Sequence, residues 1–163
     1  MPHEIRVPEA KDESLIKIRP YESRDFTEYV HTLERTTEWG NKAEQELRAR
    51  MEKMTSEEEI WVAETDNRPV GFMILSPNQD GTLEIDWLDV NPDFQRRGIA
   101  TILVRKAERI AKTKKYRALS VRTYIENTNM ITFLRRNGFE VFERIRNFYG
   151  ERKDALLFKK LVV

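Results

Sequence analysis

The segment from Leu83 to Ala111 constrains the fold more than any other part of the chain. Its first part, residues 83–90, alternates apolar and acidic residues, and this pattern predicts a strand. Pro92 lies just beyond that strand, where it cannot donate the N–H that a sheet ladder requires. From Ile99 onward, apolar residues recur at helical spacing. The segment therefore predicts a strand, a short loop and a long amphipathic helix.

The loop between these two elements carries Arg96, Arg97 and Gly98. The first amides of a helix have no internal partners, and the helix dipole adds partial positive charge there. Gly98 has no Cβ and lets a ligand approach the backbone closely, while the two arginines add full positive charge. A pyrophosphate fits such a loop. Taken alone, these three residues favour a basic turn that caps an ordinary helix.

The longer run Val90-x-Pro92-x-x-Gln95-x-x-Gly98-x-Ala100 resembles the acetyl-CoA signature of the GNAT superfamily, the acetyl-CoA-dependent N-acetyltransferases. Ala100 stands where many members have a second glycine. The resemblance implies that acetyl-CoA binds here, with its pyrophosphate on the backbone amides of residues 96–100. The cofactor-binding residues that it implies are Leu88, Asp89, Val90, Gln95, Arg96, Arg97, Gly98, Ile99, Ala100 and Asn127.

Composition narrows the classes of function. A chain of 163 residues has the length of one ordinary domain. It has no cysteine, which excludes disulfides, cysteine metal sites and a thiol nucleophile, and we expect no metal ion. No apolar run is long enough to span a bilayer, and Met1–Lys11 lacks the apolar core of a signal peptide. We therefore expect a soluble cytoplasmic protein with no membrane partner.

Periodicity and turn residues predict the element order β-α-α-β-β-β-α-β-α-β-β. In that order, Asn41 and Glu44 have the spacing of a capping box at the start of the second helix. We expect an α/β fold with a mixed sheet, made of a loose tail over residues 1–13 and one domain over residues 14–163. From Leu15 to Leu161, the order resembles the GNAT fold.

Acetyl transfer to an amine requires a polarised thioester carbonyl and a neutral amine. The resemblance implies that the N–H of Leu88 lies nearest the acetyl oxygen. It also implies that Glu84 is the base, because Glu84 stands where several histone-type members carry their catalytic glutamate. Alternation places Glu84 and Asp86 on one face of the strand and Asp89 on the other, so Asp86 is a second candidate. Solvated acids and a water relay remain alternatives.

The proton donor departs from the family pattern. Members often carry a tyrosine in a run that here begins at Asn127 and ends at Gly138-Phe139, and the tyrosine position is Leu134. Leucine cannot donate a proton. The leaving thiolate would then take its proton from water or from Tyr124, or the enzyme would work without an acid.

The run from Arg146 to Ala155 resembles the C-terminal motif of N-terminal protein acetyltransferases, including the ribosomal-protein alanine type. Tyr149 matches the tyrosine that holds the peptide backbone in those enzymes. A packed aromatic residue in a hairpin is an equally good interpretation.

The leading hypothesis is an N-acetyltransferase acting on a protein or peptide α-amine. The alternatives are a small-amine acetyltransferase for a polyamine, amino sugar or drug, and a non-catalytic acetyl-CoA-binding module. The segment 105–117 is basic, but a solvated helix face explains it, and with a net charge of +1 we expect no nucleic-acid partner. A homodimer is compatible with each of these hypotheses.

Overall fold

The computed structural model describes residues 15–162, so the predicted loose tail at residues 1–13 lies outside the described residues. The observed order of helices and strands is the predicted one. The four helices are α1 (Phe26–Thr36), α2 (Ala43–Glu52), α3 (Ile99–Thr113) and α4 (Thr128–Arg136). The seven strands are β1 (Lys17–Pro20), β2 (Glu59–Thr65), β3 (Arg68–Pro77), β4 (Thr82–Val90), β5 (Ala118–Tyr124), β6 (Glu140–Ile145) and β7 (Ala155–Leu161).

The strands form one seven-stranded sheet in the order β1-β2-β3-β4-β5-β7-β6. β4 and β5 run parallel, with Glu84 opposite Ser120. The pairs β1–β2, β2–β3, β5–β7 and β6–β7 are antiparallel. The expected mixed α/β sheet is therefore confirmed.

Within the described residues, the backbone divides into two compact units. The first contains residues 15–75 and 87–106. Its core includes Tyr29, which stacks on Phe72 with ring centroids 4.1 Å apart. Arg19 is buried in this unit and makes ion pairs with Asp25 and Glu64.

The second unit contains residues 76–86 and 107–162. Its core includes Leu119, Leu134 and Phe158, each fully buried. The β6–β7 hairpin of this unit carries exposed aromatic side chains, among them Phe148 and Tyr149.

Close packing in the first unit fixes the start of α3. A Cβ at Gly71 of β3 would lie 2.9 Å from Cγ2 of Ile99 and 3.3 Å from Cδ1 of Leu103. Only glycine lets the first turn of α3 approach this strand so closely. The loop before α3 is thereby held at a defined place beside β3.

The capping box predicted at the start of α2 is wrong. Lys42 is the N-cap residue of α2, and no side chain caps the helix. Glu44 instead accepts a hydrogen bond from Nε of Arg48, one turn along the helix, at 3.1 Å. An exposed i,i+4 ion pair competes successfully with the reciprocal cap at this position.

None of the helices that the structure describes is both long and apolar enough to cross a membrane.

Candidate acetyl-CoA and acceptor sites

The loop before α3 combines left-handed residues with the N-terminus of a long helix. Arg96 and Gly98 both have positive φ, at 65° and 79°. The carbonyl of Gly98 accepts the N–H of Ile102 at 3.0 Å, so the amides that precede Ile102 lie in the first turn of α3. Left-handed residues next to a helix N-terminus turn successive N–H groups toward one point. Two left-handed residues ahead of a helix N-terminus are a backbone pattern that favours an anion.

Side chains brace this loop within the first unit. The side-chain amide of Gln95 donates to the carbonyl of Val90 at 3.2 Å and ties the loop to the end of β4. The guanidinium carbons of Arg68 and Arg97 lie 5.2 and 5.0 Å from the ring centroid of Phe94. The ring holds two cations beside the loop.

The strand that leads into the loop extends beyond its pairing with β5. Within the described residues, the register of β4 with β5 runs from Thr82–Ala118 to Glu84–Ser120. β4 itself continues to Val90 and so includes Leu88 and Asp89. An extended ligand can pair only with a strand edge that no other strand occupies.

The carboxyl of Asp89 titrates near neutral pH. Burial raises the pKa of Asp89 to about 7, against an ordinary value of 3.8. The Thr36 hydroxyl lies 3.3 Å from Oδ1 of Asp89 and 3.0 Å from the carbonyl of Thr32. A hydroxyl has one proton, so it cannot donate to both oxygens at once. A protonated Asp89 that donates to Thr36, while Thr36 donates to Thr32, satisfies all three groups.

In the second unit, Glu84 is held by an arginine. Nη1 of Arg122 donates to both Glu84 carboxylate oxygens at 2.6 Å. The register explains the pairing, because Arg122 follows Ser120 by two residues and shares its face of β5. Burial raises the pKa of Glu84, and the charge of nearby Asp86 raises it further, although Arg122 acts in the opposite direction.

Aromatic side chains complete this cluster. The rings of Tyr124 and Tyr149 meet edge to face, with centroids 6.3 Å apart. Phe148 packs against Tyr149 and lies 5.3 Å from the guanidinium carbon of Arg122. Burial raises the pKa of the Tyr149 hydroxyl, and the charges of Glu84 and Asp86 raise it further. We call this set the acid–aromatic cluster: Glu84, Asp86, Arg122, Tyr124, Phe148 and Tyr149.

Asp154 anchors the hairpin that carries Tyr149. Its carboxylate accepts the backbone N–H of Asn147 and Nε of Arg144, each at 2.8 Å. These bonds hold the pKa of Asp154 below its usual range. Its carbonyl accepts the N–H of Ile125, just after β5, at 3.0 Å. The hairpin is thereby tied to the end of β5.

The predicted site residues fall into two groups. Glu84, Asp86, Tyr124 and Tyr149 come together in the acid–aromatic cluster of the second unit. The strand end and the loop, residues 88–90 and 95–100, lie in the first unit.

Two residues of the family pattern, Asn127 and Leu134, make contacts that stabilise α4 and its core. Asn127 caps α4, accepting the N–H of Met130 at 3.2 Å. Leu134 is fully buried in the core of the second unit.

Sequence reasoning missed Arg122 and Phe148. An arginine amid the apolar residues of β5 was the available signal, since a charged residue in such a strand needs a partner. Phe148 precedes the predicted Tyr149 and gave no separate signal.

Two further features of the described residues carry no assigned role. A cleft of about 500 Å³ lies in the first unit and contains none of the predicted site residues; its lining is Pro20, Tyr21, Met51, Met54, Glu59, Ile60 and Trp61. No group of three or more histidine, aspartate or glutamate side chains in residues 15–162 is arranged to hold a metal ion.

Known proteins are similar to this chain in sequence or in fold. The model of the Acetyltransferase (GNAT) family matches residues 18–139. A curated relative from Methanocaldococcus jannaschii, named as an uncharacterized N-acetyltransferase, is 34% identical over 98 residues, which are 56% of this chain and 43% of the relative. The matched region therefore spans less than half the length of that relative.

Two solved structures have a similar fold. The ribosomal-protein-S18-alanine N-acetyltransferase of Escherichia coli gives a TM-score of 0.74 at 17% identity, over 90% of this chain and 94% of that chain. An aminoglycoside 6'-N-acetyltransferase complexed with coenzyme A gives a TM-score of 0.73 at 17% identity, over 90% of this chain and 97% of that chain. At such identities the similarity concerns the fold alone. Because the family model covers most of the chain, and includes the strand, loop and helix described above, the chain belongs to the GNAT acetyltransferase family.

Proposed function

We propose that this chain transfers the acetyl group of acetyl-CoA to the N-terminal α-amine of a protein or peptide. One observation carries the choice of acceptor: Tyr149 of the β6–β7 hairpin packs against Phe148, whose ring lies beside Arg122, the partner of Glu84. A tyrosine on this hairpin is also the feature that resembles the N-terminal protein acetyltransferases.

Acetyl-CoA is assigned to β4 and the loop that follows it. The amides of residues 96–100 hold the pyrophosphate, and Arg96 and Arg97 balance its charge. The pantetheine arm pairs with the strand edge of residues 88–90, beyond the register with β5. Asn127 is the further cofactor-binding residue that the family resemblance implies. The backbone geometry of the loop and the extended strand end support this assignment.

The proposed chemistry is direct transfer. The amine nitrogen attacks the thioester carbonyl carbon, the C–S bond breaks, and the sulfur leaves as a thiolate. The N–H of Leu88 polarises the carbonyl. Glu84 takes the proton of the amine, and Tyr124 supplies one to the thiolate. The raised pKa of Glu84 supports this role, because a carboxylate of higher pKa holds a proton more strongly.

The charge of the acid–aromatic cluster bears on the alternative acceptors. Arg122 is paired with Glu84 and compensates its charge. A polyamine or an amino sugar with several ammonium groups gains most from a pocket of uncompensated acids. The presence of Arg122 makes the cluster better suited to an acceptor with one ammonium group.

The deciding experiment is an acceptor panel. It contains a peptide with a free N-terminus, the same peptide with a blocked N-terminus and an internal lysine, spermidine, and an amino sugar. We expect acetylation of the free α-amine alone, and we expect Tyr149→Phe to raise KM for the peptide more than it lowers kcat. Acetylation of lysine in the blocked peptide, or of the small amines only, would contradict the proposal.

A further inference from the structure

Arg122 uses only part of its hydrogen-bonding capacity. A guanidinium has five N–H donors, and the contacts of Arg122 with Glu84 run through Nη1. Its Nε is buried, and among the described residues no hydrogen-bond acceptor lies within reach of it. A buried donor without an acceptor is costly, so such a group calls for a partner.

Arg19, a second arginine of the chain, provides a comparison because its Nε and both of its Nη atoms donate hydrogen bonds. Nε of Arg19 donates to Glu64 at 2.6 Å, and its two Nη atoms donate to the two oxygens of Asp25 at 2.8 Å. Arg19 thus serves two carboxylates at once, whereas the described partner of Arg122 is one carboxylate. The edge formed by Nε and Nη2 of Arg122 has the geometry that receives a second carboxylate side-on.

We propose that this edge of Arg122 binds a carboxylate of the acceptor, so that the acceptor carries a carboxylate near its reactive α-amine. This inference rests on the proposed function. It adds a specificity-determining residue and a chemical class of acceptor, namely an α-amine with an adjacent negative charge.

The surroundings of Arg122 suit such an acceptor. About 30% of the Arg122 side chain is exposed, whereas its Nε is buried, so an acceptor carboxylate that reaches Nε must displace the groups that cover it. Asp86 is exposed on the same strand face as Glu84 and provides a negative charge for the ammonium end of the acceptor. Phe148 and Tyr149 line the cluster with apolar surface that strengthens a charge-assisted hydrogen bond. One positive and one negative recognition point match the two charges of the acceptor.

Two kinds of acceptor can supply this carboxylate. One is a peptide whose first residue has an acidic side chain, and the other is a free amino acid with its α-carboxylate. Two matched pairs of acceptors distinguish them. A peptide that begins with aspartate is compared with one that begins with asparagine, and alanine is compared with alaninamide.

The measured quantity is the ratio of kcat/KM within each pair, for the wild-type chain and for Arg122→Lys, Arg122→Met and Arg136→Met. Arg122→Lys keeps a positive charge beside Glu84 but loses the side-on edge, so it remains informative if Arg122→Met does not fold. Arg136 is exposed on α4 and serves as the matched control.

We expect the wild-type chain to prefer the carboxylate member of one pair by about tenfold or more, the effect of one hydrogen bond to a charged group. Arg122→Lys should reduce that preference several-fold, Arg122→Met should abolish it, and Arg136→Met should leave it unchanged. The pair that shows the preference identifies the source of the carboxylate.

Equal rates within both pairs, or a preference that survives both Arg122 substitutions, would overturn the inference and leave the proposed function standing. Failure to acetylate any α-amine in the panel would instead overturn the proposed function.

Discussion

Asp89→Asn should stabilise the protein at neutral and alkaline pH and change little under acid conditions. The carboxyl has a pKa of about 7 in the folded protein and an ordinary value of 3.8 in the unfolded chain. Between these two pKa values only the unfolded chain releases the proton. The free energy of unfolding of the wild type therefore falls by about 1.4 kcal/mol for each unit that the pH rises. Over the whole interval this amounts to about 4 kcal/mol, and to about 2 kcal/mol if water screens the partly exposed residue.

The assay is urea unfolding of the wild type and Asp89→Asn at several pH values from 4 to 8. Taking the difference between the two proteins cancels every other titrating group. The gain of Asp89→Asn should grow as pH rises and level off above pH 7. Asp93→Asn is the control of opposite sign, since Arg35 holds the pKa of Asp93 below its usual range and the substitution removes a favourable charge. A difference for Asp89→Asn that stays constant from pH 4 to 8 would refute the reasoning.

Three further substitutions test the site. Gly98→Glu forces a side chain onto a residue with φ of 79° and sets a carboxylate where the pyrophosphate is assigned, so calorimetry should detect no acetyl-CoA binding; unchanged affinity of the folded variant would contradict the assignment. Glu84→Gln should lower kcat at pH 7 more than at pH 9, where more amine is already neutral, and a profile parallel to the wild type would exclude Glu84 as the base. Leu134→Tyr adds a hydroxyl to a fully buried position, so thermal unfolding should show a loss of about 1–3 kcal/mol; an unchanged melting temperature would mean that the core accommodates the ring.

The element order could be predicted from sequence because its signals are local. Asn91-Pro92 and Asp80-Gly81 set strand limits, and the positive φ of Gly138, at 88°, fits its predicted place after α4. The capping box at Asn41 failed for a physical reason. Whether Glu44 turns back to its own cap or pairs with Arg48 depends on two weak interactions of similar energy.

The candidate site was predictable only where its residues are consecutive. The anion loop is a prediction from one run of sequence, and two of its residues, Arg96 and Gly98, have positive φ. The Glu84–Arg122 pair joins residues 38 positions apart and depends on the parallel register of β4 with β5. The protonation of Asp89 depends on burial and on the neighbouring Thr36, neither of which a strand pattern contains.

The limited ability of the cluster to take up and supply protons favours an α-amine over a lysine side chain as acceptor. An α-amine has a pKa of about 8, so roughly a tenth of it is neutral at pH 7, whereas less than about a thousandth of a lysine amine is neutral. A lysine acceptor therefore needs a strong and available base. Glu84 is made more basic by burial, but both of its oxygens accept hydrogen bonds from Arg122, and these bonds oppose proton uptake. Leu134 offers no proton to the leaving thiolate. A site with this modest capacity for proton transfer suits the amine that is already partly neutral. A carboxylate of the acceptor on Arg122 would also weaken the hold of Arg122 on Glu84, so the acceptor that binds best would increase the strength of the base that acts on it.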